Sequence, residues 1–323
     1  GECAAGSPPC RALQAGETAR IFTGALLPEG ADTVVMQENV EADGTTIRLT
    51  AEPSPSRGRH VRHKGGDFKR GENGLPAGSL LNPAALGQAV IAGYGELSVG
   101  KRPRVAVVST GDELVAPGTE TLPHQIPASN DVMVASLLSG MTAETRNLSR
   151  IPDDMETLAA ALESARDCDI IVTIGGASVG DHDLVGPAFE RLGADIDFYK
   201  IAMKPGKPVM AGRLGKTVIL ALPGNPASAF VAATLFLLPL VRFIAGADRY
   251  LPEKQSAATT VPLPENGTRA QFLRAKVGAN GITPYNSQDS AKLSVLAAAN
   301  ALLYRPAQAD ATDIGEMVPF IAI

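Results

Sequence analysis

Tryptophan is absent from the 323 residues, and aromatic side chains make up only 4% of them. The core must therefore be packed from Val, Ile, Leu and Ala, and aromatic platforms for stacking nucleic-acid bases are scarce. The formal net charge of −5 argues against broad, salt-driven binding to nucleic acid. The cysteines, Cys3, Cys10 and Cys168, form no CxxC pair and cannot all pair internally, so the expectation is reduced thiols and a cytoplasmic protein. Four histidines are too scattered to suggest a zinc site. Neither GxGxxG nor the phosphate loop ending in Lys-Ser/Thr occurs, so the classical dinucleotide and P-loop folds find little support. No Ser-His-Asp or Cys-His arrangement is visible, which removes the case for a covalent enzyme intermediate. No secretory leader is read at Gly1. The longest apolar run, Ala227–Phe243, carries Arg242 near its end and is short for a membrane span; it is expected to be a core helix.

What is present is regular alternation in the middle of the chain, flanked by β-type pieces. Residues 1–64 contain short extended segments, Thr18–Phe22, Thr33–Gln37 and Thr45–Leu49, separated by turn residues, and read as a small β-rich domain. Residues 65–102 form a turn-rich connection and a helix, with Asn82 as N-cap and Pro83 at its first position. Residues 103–250 alternate strand and helix, the pattern of a parallel sheet. There Ser129 or Asn130, Asp153 or Asp154, and Asn225 or Pro226 precede helices. Residues 251–323 return to β-type pieces, including Ala270–Val277, Ala301–Arg305 and Met317–Ile323. The fold class expected is a multidomain α/β protein: a central α/β domain with a mostly parallel sheet, plus two small β-rich domains.

Three apolar strands each end in a glycine turn bearing polar residues. Arg104–Ser109 runs into Thr110-Gly111-Asp112-Glu113, and Asp169–Ile174 into Gly175-Gly176-Ala177-Ser178-Val179-Gly180-Asp181-His182-Asp183. Thr217–Leu222 runs into Pro223-Gly224-Asn225-Pro226. In an open α/β sheet this carboxyl edge is where ligands bind. Glycine turns let backbone amides approach an anion. Carboxylates on neighbouring turns suit Mg²⁺, which takes one or two protein carboxylates and fills its shell with phosphate oxygens and water. Glu113 and Asp183 are the preferred ligands, with Asp181 nearby; helix capping accounts for some of the other acids. Lys200, Lys204 and Lys207 sit between apolar pieces around Pro205-Gly206, as fixed charges suited to phosphate or an oxyanion. The basic run Arg57–Lys64 lacks interleaved aromatics and reads as a solvated connection.

The ordered segments Thr23–Glu38 (TGALLPEGADTVVMQE), Val61–Asp67 (VRHKGGD), TGDEL, PDD, GGASVGDHD, KPGKP and PGNPAS, with SQDSAKLSVLAAAN near the end, closely resemble the molybdopterin molybdenumtransferase family. The E domain of gephyrin is the eukaryotic relative. The resemblance implies the molybdopterin-binding fold within a four-domain subunit, an elongated homodimer and a site in a cleft between domains. It implies insertion of molybdate into molybdopterin, delivered as adenylyl-molybdopterin, with Mg²⁺ and release of AMP. Matched by motif, Thr23, Arg62 and Asp67 would lie on the small-domain side of the cleft. Glu113, Asp153 or Asp154, Asp183, Lys200, Lys204 and Lys207 would lie on the α/β side. Thr110, Gly111, Asp112, Gly175, Gly176, Ser178, Gly180, Pro223, Gly224, Asn225, Pro226 and Ser228 would line the pterin and phosphate positions. The family's pattern opens with a helical segment and an Arg-rich stretch ending in Asp-Gly-Tyr; this sequence contains no Asp-Gly-Tyr, and the resemblance starts after that point. Molybdopterin adenylyltransferase, built on the same α/β domain, is both a competing reading and an expected partner. A non-catalytic scaffold like gephyrin's E domain is the competing reading of another class.

Overall fold

The computed structural model describes residues 1–50, 56–72, 74–176 and 184–323. The chain divides into two compact units, Gly1–Gly74 and Leu75–Ile323.

In the first unit the extended pieces are short. Glu2–Cys3 pairs in parallel with Arg20–Ile21, and Val40–Asp43 forms a hairpin with Thr46–Leu49. Gly44 sits in that turn at φ +59°, a conformation glycine adopts without a Cβ penalty. The strand expected over Thr33–Gln37 does not form. The Val34 amide donates to the Arg59 carbonyl of an irregular segment, and a 3₁₀ turn begins at Gln37. The expectation of reduced thiols fails for one pair, since Cys3 and Cys10 are bridged across a Cα separation of 5.7 Å. Their separation of seven residues allows a local loop to close without any CxxC motif. Cys168 is free and buried.

The second unit opens with the helix Pro83–Ile91, capped by Asn82, whose side chain accepts from the Ala85 amide at 2.8 Å. A six-stranded sheet follows, in the order Asp195–Tyr199, Met210–Leu214, Thr217–Leu222, Ile170–Ile174, Arg104–Thr110, Glu144–Ile151. The last four strands are mutually parallel, and the first two join antiparallel at one edge. Both faces of the central strands are covered, so each strand reads as a continuous apolar run and successive residues enter opposite cores. Val105, Val107, Ile170 and Val172 pack with the helix Asn130–Leu137 and the long apolar helix. Ala106, Val108 and Ile171 pack with Met155–Ser164 and Val185–Arg191, where Leu158, Leu162 and Phe189 are fully buried.

The apolar run expected to be a core helix is one. Pro226–Ile244 is continuous, with a wider π turn at Ala233–Leu237 just ahead of Pro239, which has no amide to donate. Among the described residues it is the one helix long and apolar enough to cross a membrane, yet its Ala229, Ala232, Ala233, Leu237 and Val241 are buried in the sheet's core.

A second sheet is ordered Met203–Lys204, Ala270–Gly278, Ala301–Arg305, Met317–Ala322, Gln255–Ala258, with Gly281–Pro284 paired to Ala270–Gly278. Met203–Lys204 is thus lent to it from the lysine-bearing segment, in parallel register with Ala270 and Gln271. Met203, Val231, Phe272, Leu302 and Ile321 form a shared cluster that welds the long helix to this sheet.

Candidate active site

The parallel strands deliver their carboxyl ends to one edge, and a cavity of about 660 Å³ lies there. Its described wall includes Thr110, Gly111, Glu113, Asp153, Gly175, Gly176 and the whole Pro223–Pro226 turn. A cavity of about 730 Å³ lies elsewhere, between the long helix and the last strand, bordered by Phe230, Arg242 and Ile321. The smaller one is the candidate site, because all three glycine turns meet in it.

Glycine geometry explains how the turns come so close. Gly175 and Gly176 have φ of +90° and +60°, which favours glycine, and a Cβ on Gly176 would lie 2.8 Å from Val185 Cγ2. A Cβ on Gly175 would lie 3.0 Å from the Thr110 carbonyl oxygen, and one on Gly224 3.5 Å from the Gly175 Cα. A Cβ on Gly111 would meet Glu113 Oε2 at 2.6 Å, so the Glu113 carboxylate folds back over its own turn. Asn130 Nδ2 donates to the Gly224 carbonyl at 2.6 Å and pins the third turn to the helix Asn130–Leu137.

Side-chain bonds then order the acids. The buried Thr110 hydroxyl donates to Asp153 Oδ1 at 2.6 Å, and the Asp153 amide donates to Asp112 Oδ1 at 3.0 Å. Asp112 therefore holds the Asp153 loop from outside the wall. Of the acid pair, Asp153 faces the cavity, while Asp154 caps the next helix. Asp154 accepts from the Thr157 hydroxyl at 2.7 Å and the Thr157 amide at 2.9 Å, bonds that hold its carboxyl below the ordinary carboxylate range.

The segment Lys200–Val209 is a tight reversal. The Lys200 amide donates to the Val209 carbonyl at 2.8 Å, and the Lys207 carbonyl accepts from Ile201 at 2.9 Å and Val209 at 3.0 Å. It brings Pro208 into the cavity wall; Lys200, Lys204 and Lys207 are not among the described wall residues. The Lys200 ammonium lies 4.7 Å from the centre of the Tyr199 ring, and Lys204 lies on the short strand paired with Gln271. Ser228 is buried one turn into the helix after the PGNP turn, behind the wall. Thr23, Arg62 and Asp67 are exposed on the first unit. Ser178, Gly180, Asp181 and Asp183 lie outside the described residues.

Several wall residues had no functional reading in the sequence: Ser109, Ser129, Asn130, Asp131 and Ala291. Ala291 arrives through the SQDS segment. Gln288 exchanges bonds with the Arg274 backbone at 3.0 Å each way, Arg274 Nη2 donates to the Asp289 carbonyl, and the Ser290 carbonyl accepts from Ala227 at 3.0 Å. The described wall carries three carboxylates, Glu113, Asp131 and Asp153, and no cation. Such a wall suits a divalent cation or a ligand edge rich in hydrogen-bond donors. Among the described residues no three His, Cys, Asp or Glu side chains are grouped closely enough to hold a metal by themselves.

Comparison with known proteins gives the family. Residues 2–93 match the MoeA N-terminal region (domain I and II), 106–242 a probable molybdopterin binding domain, and 256–323 the MoeA C-terminal region (domain IV). Molybdopterin molybdenumtransferase 2 of Mycobacterium tuberculosis is 37% identical over 94% of this chain and 76% of its own length. Molybdopterin molybdenumtransferase of Nostoc sp. is 34% identical over 94% of this chain and 72% of its own. A crystal structure of the molybdopterin biosynthesis moeA protein from Pyrococcus horikoshii superposes with a TM-score of 0.77 at 30% identity, covering 99% of this chain and 79% of that one. This chain belongs to the molybdopterin molybdenumtransferase family.

Proposed function

We propose that this protein is a molybdopterin molybdenumtransferase, inserting molybdate into molybdopterin supplied as adenylyl-molybdopterin and releasing AMP. The observation that carries the reading is the convergence of Thr110–Glu113, Gly175–Gly176 and Pro223–Pro226 on one acid-walled cavity, in a chain of this family. Mg²⁺ fits the donor set: Glu113 and Asp153 contribute carboxylates to one wall, and phosphate oxygens complete the shell such an ion prefers. When bound it would neutralise the phosphoanhydride, held by Glu113 and Asp153, with Asp181 and Asp183, outside the described residues, as the further ligands in our reading.

The chain's own residues do the positioning. The Thr110 hydroxyl fixes the Asp153 carboxylate; the Gly175 amide donates to the Leu222 carbonyl, and the Gly176 amide is the donor we assign to phosphate oxygens. Lys200, Lys204 and Lys207 supply charge for phosphate and molybdate from the reversal bordering the wall at Pro208. Thr23, Arg62 and Asp67 are substrate contacts in the same reading, which also has the protein act as a homodimer and receive its substrate from a molybdopterin adenylyltransferase. A cytoplasmic location belongs to the same reading. The test is incubation with adenylyl-molybdopterin, Mg²⁺ and molybdate: AMP release that requires molybdate is expected, and none, or release requiring ATP and free molybdopterin instead, overturns it.

A further inference from the structure

Asp131 is 2% exposed yet belongs to the cavity wall. A buried carboxylate is costly unless its oxygens are satisfied, and an ionised one accepts at about four positions. Here Oδ1 accepts from the adjacent Val132 amide at 2.9 Å, and Oδ2 has only Asn147 Nδ2 at 3.5 Å. No ion pair to Asp131 is found among the described residues. Next to it, Asn130 Oδ1 is buried with no hydrogen-bond partner, its amide nitrogen being committed to Gly224. Two neighbouring acceptors are therefore under-used at one spot on the cavity.

We infer that Asp131, assisted by Asn130, recognises the donor edge of the substrate's pterin ring. The inference rests on the molybdopterin reading above and names the group that orients the ring. The 2-amino group and N3–H of a 2-amino-4-oxopyrimidine lie side by side and match the two oxygens of a carboxylate, the geometry that makes paired charge-assisted hydrogen bonds strong. The phosphate and dithiolene parts of the substrate then fall to the glycine turns and to the cation that Glu113 and Asp153 would hold. Asp131 is a specificity residue in this account and takes no part in bond breaking.

The test uses pterin and lumazine, which differ by a carbonyl in place of the 2-amino group, titrated against the full chain by fluorescence. The wild type is expected to bind pterin about tenfold or more tighter than lumazine, because a site built for a donor rejects the analogue that lacks it. Asp131→Asn is expected to lose most of that preference, with its circular dichroism and unfolding temperature recorded alongside. Equal binding of the two rings, no binding of pterin, or a preference that survives Asp131→Asn in a folded variant overturns the inference. The wild-type comparison needs no variant, so a misfolded Asp131→Asn does not rescue it. Molybdate-dependent AMP release without ring discrimination would remove this inference and leave the transferase reading standing; discrimination without AMP release would do the reverse.

Discussion

Gly176→Ala and Gly224→Ala insert the same methyl into the same cavity wall, and the structure separates their consequences. At Gly176 the backbone φ is +60°, and the new Cβ lies 2.8 Å from Val185 Cγ2 and 3.2 Å from Thr110 Cγ2. The left-handed conformation costs an alanine roughly 1–2 kcal/mol, and overpacking adds about 1–3 kcal/mol. The sum, about 2–5 kcal/mol, corresponds to a fall of roughly 5–15 °C in unfolding temperature for a unit of this size. At Gly224 the only neighbour is the Gly175 Cα at 3.5 Å, an ordinary contact, and φ is not in the left-handed region. Gly224→Ala is therefore expected to cost within about 0.5 kcal/mol, while its methyl projects at a turn lining the ligand space and weakens substrate binding. Calorimetric scans of both variants with pterin-binding titrations give the comparison. A Gly224→Ala protein that is destabilised as much as Gly176→Ala would refute the reasoning about the turns.

Asn82→Ala removes the cap of the helix Pro83–Ile91 and should cost about 1 kcal/mol, read as faster amide exchange over that helix. Thiol labelling after denaturation without reductant should find a single reactive thiol, Cys168, since Cys3 and Cys10 are joined; three thiols would contradict the bridge. In the native fold Cys168 should label slowly, because burial pushes its pKa up and keeps the thiolate scarce. The Arg11 guanidinium, bonded to both Glu17 oxygens at 2.7 and 2.9 Å, and the Gln14 amide pull the Glu17 pKa to about 2. The folded pKa is depressed, so the pair's contribution is present above the unfolded carboxylate range and disappears as pH falls toward about 2. An NMR titration should place Glu17 there and raise it toward the ordinary carboxylate range in Arg11→Ala, the Gln14 amide still holding it somewhat below.

The parts of the fold that were legible share a physical cause. A strand covered on both faces must be apolar throughout, so Arg104–Thr110, Ile170–Ile174 and Thr217–Leu222 declare themselves as runs. Asn82-Pro83 and Asp154 obey local capping chemistry, which neighbouring residues alone decide. The failures come from interactions at long range. Met203–Lys204 is a strand because Ala270 lies beside it, which nothing nearby in the chain signals. Thr33–Gln37 has strand propensity but no partner ladder, and Val34 bonds to Arg59 instead. The same distinction governs the site. Thr110, Glu113, Asp153 and the glycines follow their strands to the sheet edge, so motif position located them. Asn130 and Asp131 sit at a helix start, where polar residues are expected as caps, and Ser129 and Asn130 were read that way. Yet no side-chain cap bond from Ser129 forms there, Asn130 reaches to Gly224, and Asp131 is buried at the cavity wall. Only tertiary placement distinguishes a cap from a ligand contact.

A crystal structure with AMP and molybdate bound tests the account where it matters most, because the two cavities are of similar size and far apart in character. We predict both ligands between Thr110–Glu113, Gly175–Gly176 and Pro223–Pro226, within the acid-walled cavity. Density for them beside Phe230, Arg242 and Ile321, with the sheet-edge cavity holding only water, would contradict it.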